Sequence, residues 1–325
     1  MNSLFLSYVT SLYYTKIKPR FSKAPVLARF RPFMYKNRIV CNKNEAHSMI
    51  ASFLESGRPC MIARYGFTEA QLLGRFYMKY TLGFDLARQY KRVYGWLYDT
   101  AGFFSKNHKR VESDVDKFCN LMIDASKNVD VIGAHCGMLE DYVINKCCPN
   151  DVNITLFDNL AIFIADKSWG RCLKGKRVLL VHPFADTIQR QYKKRMSIWG
   201  GRTDILPDFE LLTYKAIQTI AGNNVELYED WFTALDIMIN DIKKIDFDIA
   251  IIGCGAYGFP LASEIKNMGK KAVHLGGQTQ VIFGILGKRY DSSPALQKYI
   301  NESWVRPDET EKPKNYKDVE GGCYW

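Results

Sequence analysis

The sequence predicts an α/β protein in which helices cover both faces of a mostly parallel β-sheet. Short apolar segments alternate with helical patterns along most of the 325 residues, as in folds built from strand–helix–strand units. The segments RVLLVH (177–182) and FDIAII (247–252) are apolar at consecutive positions instead of at every second one. Central parallel strands have this pattern because both of their faces are buried.

The elements follow one another in order after a basic N-terminal segment. Apolar runs bounded by turn-forming residues predict strands at 60–64, 129–133, 153–157, 177–182, 247–252 and 272–275. Apolar residues at helical spacing predict helices at 44–56, 113–127, 184–196, 209–220, 231–242, 257–268 and 278–286, and one more after Gly66. Asn44 and Gly57 are the expected cap and end of the first helix. Residues 85–104 are rich in aromatic side chains and give no clear pattern.

Composition and cysteine spacing narrow the class of protein. With 47% hydrophobic and 24% charged residues, the chain is typical of a globular protein. No apolar run approaches the roughly 20 residues that cross a bilayer, and the N-terminus is a poor signal peptide because its basic residues follow the apolar part. The nine cysteines include no C-x-x-C pair, which favours buried free thiols over a disulfide framework or a zinc ribbon. We therefore expect a cytoplasmic protein.

We divide the chain into a basic arm (1–43) and one α/β domain (44–325). Much of the net charge of +11 lies in the arm, where nine basic residues precede the first acidic residue, Glu45. An arm of this composition could lie on an anionic membrane surface through residues 1–40, touch nucleic acid, or remain a solvated tail on the domain. Because no nucleic-acid-binding motif is present, nucleic acid is not an expected partner. The nine basic residues are Lys16, Lys18, Arg20, Lys23, Arg29, Arg31, Lys36, Arg38 and Lys43.

Loops that follow strands are where a ligand is expected, since open parallel sheets bind ligands outside the carboxyl ends of their strands. The strand at 247–252 is followed by Gly253-x-Gly255-x-x-Gly258, with Tyr257 inside the motif, and then by a helix. Glycines let the backbone turn tightly, and a helix N-terminus attracts phosphate. The pattern predicts a phosphate-binding turn. The alternative is that the glycines serve only close packing of helix on strand.

The strand that follows this glycine motif indicates whether the site could bind a nicotinamide cofactor. In a dinucleotide-binding fold, the next strand ends in an acidic residue that holds the ribose. Here KKAVHL ends in His274 and Leu275, and two glycines follow. An NAD site is therefore not predicted, and an NAD(P)-dependent oxidoreductase is a less favoured alternative.

The segment 274–291 offers a second set of ligand contacts. Its glycines permit close approach, its glutamines could bind a sugar or a base, and its basic residues add positive charge. The alternative is a glycine-rich connection to a terminal helix. The predicted ligand-binding residues are His274, Gly276, Gly277, Gln278, Gln280, Lys288 and Arg289.

Two further strand ends carry candidate catalytic and binding residues. In IARYGFTE (62–69), Arg64 suits a phosphate, Gly66 bends the chain, and Glu69 could bind a metal or a sugar hydroxyl, or pair with Arg64 and lock the turn. In VHPFAD (181–186), His182 could act as a base or a phosphate contact, or be structural. Asp186 in the same segment could act as a base or simply favour the helix dipole.

At these loops the sequence resembles the GT-D fold-like glycosyltransferases, a group found in bacterial surface-polysaccharide gene sets. The resemblance rests on five segments spread over most of the chain after about residue 45, of which 249–291 and 320–325 are the specific ones. The five segments are IARYGFTEAQLL (62–73), DTAGFF (99–104), LKGKRVLLVHPFADTIQRQY (173–192), IAIIGCGAYGFPLASEIKNMGKKAVHLGGQTQVIFGILGKRYD (249–291) and EGGCYW (320–325).

The resemblance implies a Rossmann-like domain that binds a nucleoside-diphosphate sugar. Founding members carry R-F-G-D-G-E, whose two carboxylates hold Mn²⁺ or Mg²⁺ and the donor diphosphate. Arg64, Gly66 and Glu69 match this stretch, but Phe67 stands at the Asp position, and phenylalanine cannot ligate a metal. Without a metal, the diphosphate charge would need Arg64, helix N-termini or basic residues such as Lys288 and Arg289.

The resemblance also implies an activity. We expect transfer of a sugar to a glycan or lipid-linked acceptor in surface-polysaccharide assembly, at the inner face of the membrane if the arm binds there. Glu69 is the first choice for the base that activates the acceptor hydroxyl, followed by Asp186 and His182. A non-catalytic sugar-nucleotide-binding assembly module is the alternative, and the absence of Asp at position 67 favours it.

Overall fold

The computed structural model describes residues 3–13, 32–83, 87–107 and 109–325. The strands in this part of the chain are β1 (Ile39–Val40), β2 (Cys60–Ala63), β3 (Val131–Ala134), β4 (Asn153–Leu156), β5 (Arg177–His182), β6 (Glu210–Lys215), β7 (Ile249–Ile252) and β8 (Lys271–His274). They form one eight-stranded sheet in the order β1-β4-β3-β2-β8-β7-β5-β6, and each pair of neighbours is parallel. The predicted fold class is confirmed.

Helices alternate with these strands along the chain. They are α1 (Ser3–Leu12), α2 (Lys43–Glu55), α3 (Phe67–Leu82), α4 (Ala87–Trp96), α5 (Val111–Ser126), α6 (Glu140–Cys147), α7 (Ala185–Tyr192), α8 (Arg195–Ile198), α9 (Trp231–Ile242), α10 (Gly258–Asn267), α11 (Gln278–Ile282) and α12 (Pro294–Gln297). A π-helical turn, Leu97–Ala101, follows α4, so the aromatic interval without a clear pattern is largely helical. The strands and most of the helices that the sequence predicts are confirmed, with small shifts at their ends.

Two expectations need correction. Asn42, not Asn44, caps α2, because the Asn42 side chain accepts the backbone N–H groups of Asn44 (2.8 Å) and Glu45 (3.3 Å). The helix predicted at 209–220 is wrong: its first half is the edge strand β6, which pairs with β5 over six residues. A continuous ladder along β5 outweighs the helical spacing of apolar residues, since tertiary context overrides local propensity.

The sheet separates two apolar layers, and alternate residues of each strand enter one or the other. In β2, Met61 and Ala63 belong to the layer that α5, α9 and α10 cover. Cys60 and Ile62 belong to the opposite layer, which α2 and α7 cover. Helices therefore lie on both faces of the sheet, and a rigid core supports the ends of the strands. None of the nine cysteines forms a disulfide, and all except Cys41 and Cys136 are buried.

Two elements of the structure fall within the interval assigned to the arm. Strand β1 pairs with β4 at the sheet edge, and α1 packs against α6. Residues 14–31, which carry six of the nine basic side chains of the arm, lie outside the described residues. In the part of the chain that the structure describes, no helix combines the length and the apolar character needed to cross a membrane.

Candidate functional site

A cleft with a volume of about 290 Å³ lies at the carboxyl ends of the strands. The loops after β2, β3, β4, β5, β6, β7 and β8 all contribute side chains or backbone to its wall, together with residues near position 320. This is the edge of an open parallel sheet at which ligands bind, and the volume is close to the lower end of the range for small-molecule sites. The cleft brings most of the sequence-predicted site residues together.

The loop between β2 and α3 supplies a cation and a carboxylate to this cleft. Arg64 comes directly after β2, and Gly66 through Glu69 form the first turn of α3, all of them in the cleft wall. A Cβ on Gly66 would overlap the carboxylate of Glu69, so glycine is what lets this side chain fold back over the helix start. The N-terminus of this 16-residue helix adds free N–H groups and a positive dipole end.

Arg64 places its positive charge in the wall of the cleft. Within the described residues no carboxylate forms an ion pair with its guanidinium, whose Nη1 donates to the backbone carbonyl of Tyr65 (3.1 Å) and whose Nε is buried without a partner. The guanidinium also lies over the ring of Phe157, 5.5 Å from its centroid, and against Gly276, whose φ is +58°. The interpretation that Arg64 and Glu69 only lock the turn as an ion pair is therefore not supported.

Glu69 is the buried carboxylate of the cleft. Its side chain is 7% exposed, and burial raises its pKa above the usual value, although the Arg64 charge and its own backbone N–H act in the opposite direction. A carboxylate whose pKa is raised is a stronger base than one with the ordinary pKa. Glu69 thus lies in the cleft as a buried carboxylate, and its role as a general base stays a prediction.

Three of the five histidines in the chain line the cleft: His135, His182 and His274. Burial lowers the pKa of each to about 3, so all three imidazoles are neutral at physiological pH. Nδ1 of His182 accepts the backbone N–H of Phe184 at 3.0 Å. The remaining proton of the neutral ring is therefore on Nε2, which makes His182 a hydrogen-bond donor and not the base that the sequence suggested.

His135 has the opposite tautomer. Its ring bonds to the backbone of Tyr65, while Nε2 is buried and has no partner among the described residues. The ring also stacks on Phe157, with centroids 4.0 Å apart and planes at 24°. His135 therefore presents an unused acceptor in an aromatic wall, next to the Arg64 guanidinium.

The glycine motif after β7 serves close packing. A Cβ on Gly253 would lie 2.6 Å from the backbone oxygen of Gly276, and one on Gly255, whose φ is +61°, would lie 2.5 Å from the oxygen of Ala101. A Cβ on Gly258 would overlap the imidazole of His274. Gly253, Gly255 and the nearby Tyr257 still line the cleft, whereas Gly258 does not.

Some of the predicted ligand-binding residues after β8 line the cleft, and others do not. Gly276, Gly277, Gln280 and Arg289 line the cleft, but the amide of Gln280 donates to the backbone oxygens of Ile285 and Tyr324, both at 3.2 Å. Its predicted contact with a sugar or a base is therefore replaced by a structural role. Gln278 and Lys288 are not part of the cleft wall.

The prediction for Asp186 also needs correction. Its carboxylate is exposed and pairs with Lys215 (2.9 Å), so it does not face the cleft. The N-terminus of α7 offers no phosphate site either, because its backbone N–H groups at positions 186 and 187 bond to the buried Glu311. The general-base role that the sequence suggested for Asp186 is not compatible with this position.

Several cleft residues were not predicted. His135 and Phe157 follow β3 and β4 directly, so the rule that ligands bind at strand ends could have found them. Tyr324 and Trp325 also line the cleft. Their sequence segment carried the resemblance, but no local pattern shows that it folds back to the sheet.

The side chains of the cleft do not fit the two-carboxylate metal site that the resemblance implies. Phe67 is 55% exposed at the cleft, edge-on to His135. Glu69 and Glu320 are the two acidic residues of the cleft wall, and Glu320 pairs with Arg289 (2.5 Å). Among the described residues, no three His, Cys, Asp or Glu side chains are grouped for a metal ion.

Comparisons with known proteins add little to this description. No protein-family model matches the chain, and no curated protein matches it. Among solved structures, the chain is similar to the selenomethionine-substituted structure of a domain of unknown function, DUF1792, with a TM-score of 0.37 and 12% sequence identity over 83% of this chain and 93% of that one. The function therefore has to be argued from the cleft itself.

Proposed function

We propose that this protein is a glycosyltransferase that takes its donor, a nucleoside-diphosphate sugar, into the cleft at the carboxyl ends of the strands. The observation that carries the proposal is the guanidinium of Arg64, which forms no ion pair within the described residues, next to the buried carboxylate of Glu69 at the N-terminus of α3. A cation with no ion-pair partner among the described residues suits an anionic ligand, and Arg matches phosphate oxygens in a bidentate geometry. A carboxylate beside it suits a reaction that releases a proton.

In the proposed reaction, the acceptor hydroxyl attacks the anomeric carbon of the donor sugar. The bond from that carbon to the diphosphate oxygen breaks, and the nucleoside diphosphate leaves with the electron pair. Glu69 takes the proton of the acceptor hydroxyl. Arg64 and the free N–H groups of α3 stabilise the charge that develops on the leaving diphosphate. The acceptor class is a glycan or a lipid-linked sugar.

Three neighbouring groups support donor binding in this proposal. The Nε2–H of His182 donates to a donor oxygen, and the free Nε2 of His135 accepts from a sugar hydroxyl or a base N–H. The ring of Phe157, already stacked with His135, gives the donor an apolar surface. Neutral imidazoles with a pKa of about 3 make such contacts without a change in charge.

A second candidate function has one specific observation in its favour. Phe67 occupies the position at which a metal-binding Asp stands in the family that the sequence resembles. A sugar-nucleotide-binding assembly module without catalysis would tolerate that change. It requires the same donor contacts by Arg64 but no turnover.

The test is a binding and turnover experiment on the full chain. Thermal stability is measured with UDP-, GDP-, CMP- and dTDP-sugars and with NADH, each with and without Mn²⁺. A ligand at about 100 times its Kd stabilises the fold by about 2.7 kcal/mol, so one sugar nucleotide should raise the Tm. Release of nucleotide from that donor is then measured for the wild type and for Glu69→Gln.

The transferase proposal expects that the wild type releases nucleotide and that Glu69→Gln binds the same donor with a rate about 10² to 10⁴ times lower. Donor binding without turnover in the wild type, across a panel of glycan and lipid-linked acceptors, would support the assembly module instead. A Tm shift with NADH alone would overturn both in favour of an oxidoreductase.

A further inference from the structure

Helix α1 is anchored to the domain by one face. Leu4 is fully buried, in a small cluster with Met78 and Leu139. The hydroxyl of Ser7 bonds to the carboxylate of Asp141 on α6, 2.8 Å from Oδ1. The helix sequence, SLFLSYVTSL, includes no charged residue. These contacts fix which side of α1 turns away from the protein.

The other face of α1 is apolar and exposed. Phe5, Leu6 and Val9 are 42%, 53% and 44% exposed, and Tyr13, one residue after the helix, is 46% exposed. The spacing of three and four residues places Leu6, Val9 and Tyr13 on one side of the helix, and Phe5 lies beside them. Four of the eleven large hydrophobic side chains exposed in the described part of the chain thus occur between positions 5 and 13. Such a concentration marks an interaction surface.

Positive charge follows this apolar face immediately in the sequence. Six basic residues lie between positions 16 and 31, two more stand at 36 and 38, and no acidic residue occurs before Glu45. An uncharged apolar face next to a cluster of basic residues is the combination that anionic lipid surfaces bind, through partial insertion and attraction to lipid phosphates.

We propose that α1 lies on the surface of an anionic phospholipid bilayer, with Phe5, Leu6 and Val9 among the lipid headgroups. With ten residues, the helix is about 15 Å long, half the thickness of a bilayer core of about 30 Å, so it lies in the interface. The contact brings the domain to the membrane whatever its cleft binds, and it does not depend on the proposed transferase activity.

Charge and chemistry favour lipid over other partners. A second copy of the chain would bring two sets of like charges together, which costs free energy. Nucleic acid would be attracted by the basic residues but would gain little from an uncharged aliphatic surface. A bilayer with anionic headgroups satisfies both features at once.

The test is co-sedimentation of the full chain with vesicles. Wild-type protein should bind phosphatidylcholine vesicles that contain phosphatidylglycerol and should not bind vesicles of phosphatidylcholine alone. The double variant Phe5→Ser, Leu6→Ser should bind at least about tenfold more weakly, because two inserted side chains are lost. The triple variant Lys16→Gln, Lys18→Gln, Arg20→Gln should also bind more weakly, because each basic residue near the surface contributes to binding.

Leu227→Ser is the matched control, because Leu227 is 67% exposed on another part of the surface, and it should bind as the wild type does. All variants change exposed or N-terminal side chains, so we expect them to fold as the wild type does. An unchanged Tm verifies this. Equal binding to neutral and anionic vesicles, or wild-type binding by the Phe5→Ser, Leu6→Ser variant, would overturn the proposal. If the protein does not bind vesicles, two other results would each identify a different partner. Self-association that the double serine variant abolishes would identify a second copy of the chain. Binding to an oligonucleotide that the double serine variant leaves unchanged would identify nucleic acid.

Discussion

The carboxylate of Glu69 folds back over Gly66, so closely that no side chain larger than a hydrogen atom fits at position 66. Gly66 has φ −64° and ψ 150°, which any residue can adopt. The requirement for glycine at this position therefore comes from Glu69 and not from the backbone. A substitution at position 66 should therefore disturb the cleft without straining the backbone.

Gly66→Ala should displace the Glu69 carboxylate and lower sugar transfer by at least about tenfold, as expected when a catalytic group loses its position. The free energy of unfolding should change by less than about 1 kcal/mol, because a flexible side chain can move aside. Steady-state turnover and thermal melting measure the two effects. Gly57→Ala, where a Cβ meets nothing within 4 Å, is the control, and full activity of Gly66→Ala would contradict the position assigned to Glu69.

Arg64→Gln should weaken donor binding by about tenfold to a hundredfold. Hydrogen bonds to a charged group contribute about 1.5–3 kcal/mol, and each 1.4 kcal/mol is a factor of ten in affinity. Titration calorimetry with the sugar nucleotide that stabilises the wild type measures the change. Arg58→Gln, at an exposed position before β2, should bind as the wild type does. Equal affinities of the two variants would show that the diphosphate binds elsewhere.

Phe67→Asp should introduce a metal-dependent response. The Phe67 side chain is half-exposed, and Asp is favourable in the first turn of a helix, so the fold should tolerate the change. With Glu69 two residues further on, the variant has the carboxylate pair that the resemblance implies. Its Tm in the presence of donor should rise on addition of Mn²⁺, whereas Phe67→Asn should not respond. The absence of any difference between these variants would argue against a metal at this position.

His182 should make stability depend on pH. Its pKa in the folded protein is about 3, below the ordinary value of 6.5, so the unfolded chain binds more protons between these two values. Its contribution to stability is therefore complete above pH 6.5 and is lost as the pH falls towards 3. At pH 5 the loss is about 2 kcal/mol, from about 1.5 units at 1.36 kcal/mol each.

His182→Asn tests this dependence, because an amide oxygen can still accept the N–H of Phe184 without titrating. Chemical denaturation at pH 8 and pH 5 should show a smaller loss of stability in the variant than in the wild type. Parallel curves for the two proteins would mean that His182 does not titrate as its burial indicates. Glu140, whose pKa burial raises to about 7, acts with the opposite sign in both proteins and cancels in the comparison.

The sequence predicted the sheet better than the cleft, for physical reasons. Strands that are buried on both faces, such as β5 and β7, consist of consecutive apolar residues, so the local sequence is enough to recognise them. β6 could not be recognised in this way, because the apolar residues of this half-exposed edge strand are spaced as in a helix. Only its hydrogen-bonded pairing with β5 shows that the segment is a strand. Arg64 and Glu69 were found because both lie next to one strand end.

The remaining cleft residues depend on contacts that are distant in sequence. Asp186 lies outside the cleft, paired with Lys215, and the amide of Gln280 is held by the carbonyl of Tyr324. Neither contact leaves a pattern in the local sequence. The tautomer of His182 is set by a neighbour, the backbone N–H of Phe184, but it depends on the backbone conformation after β5, which the residue types do not show.

The pairing of β2 with β8 has a consequence for the synthesis of this protein. Cys60, Met61 and Ile62 pair with Lys271, Ala272 and Val273, so the middle of the sheet joins an early part of the chain to a late one. During translation, one edge of β2 stays open until the last strand has emerged from the ribosome. Contacts so far apart in sequence slow folding, and an open strand edge pairs readily with other chains. Slow synthesis at low temperature, or a chaperone that shields this edge, should therefore raise the yield of soluble protein.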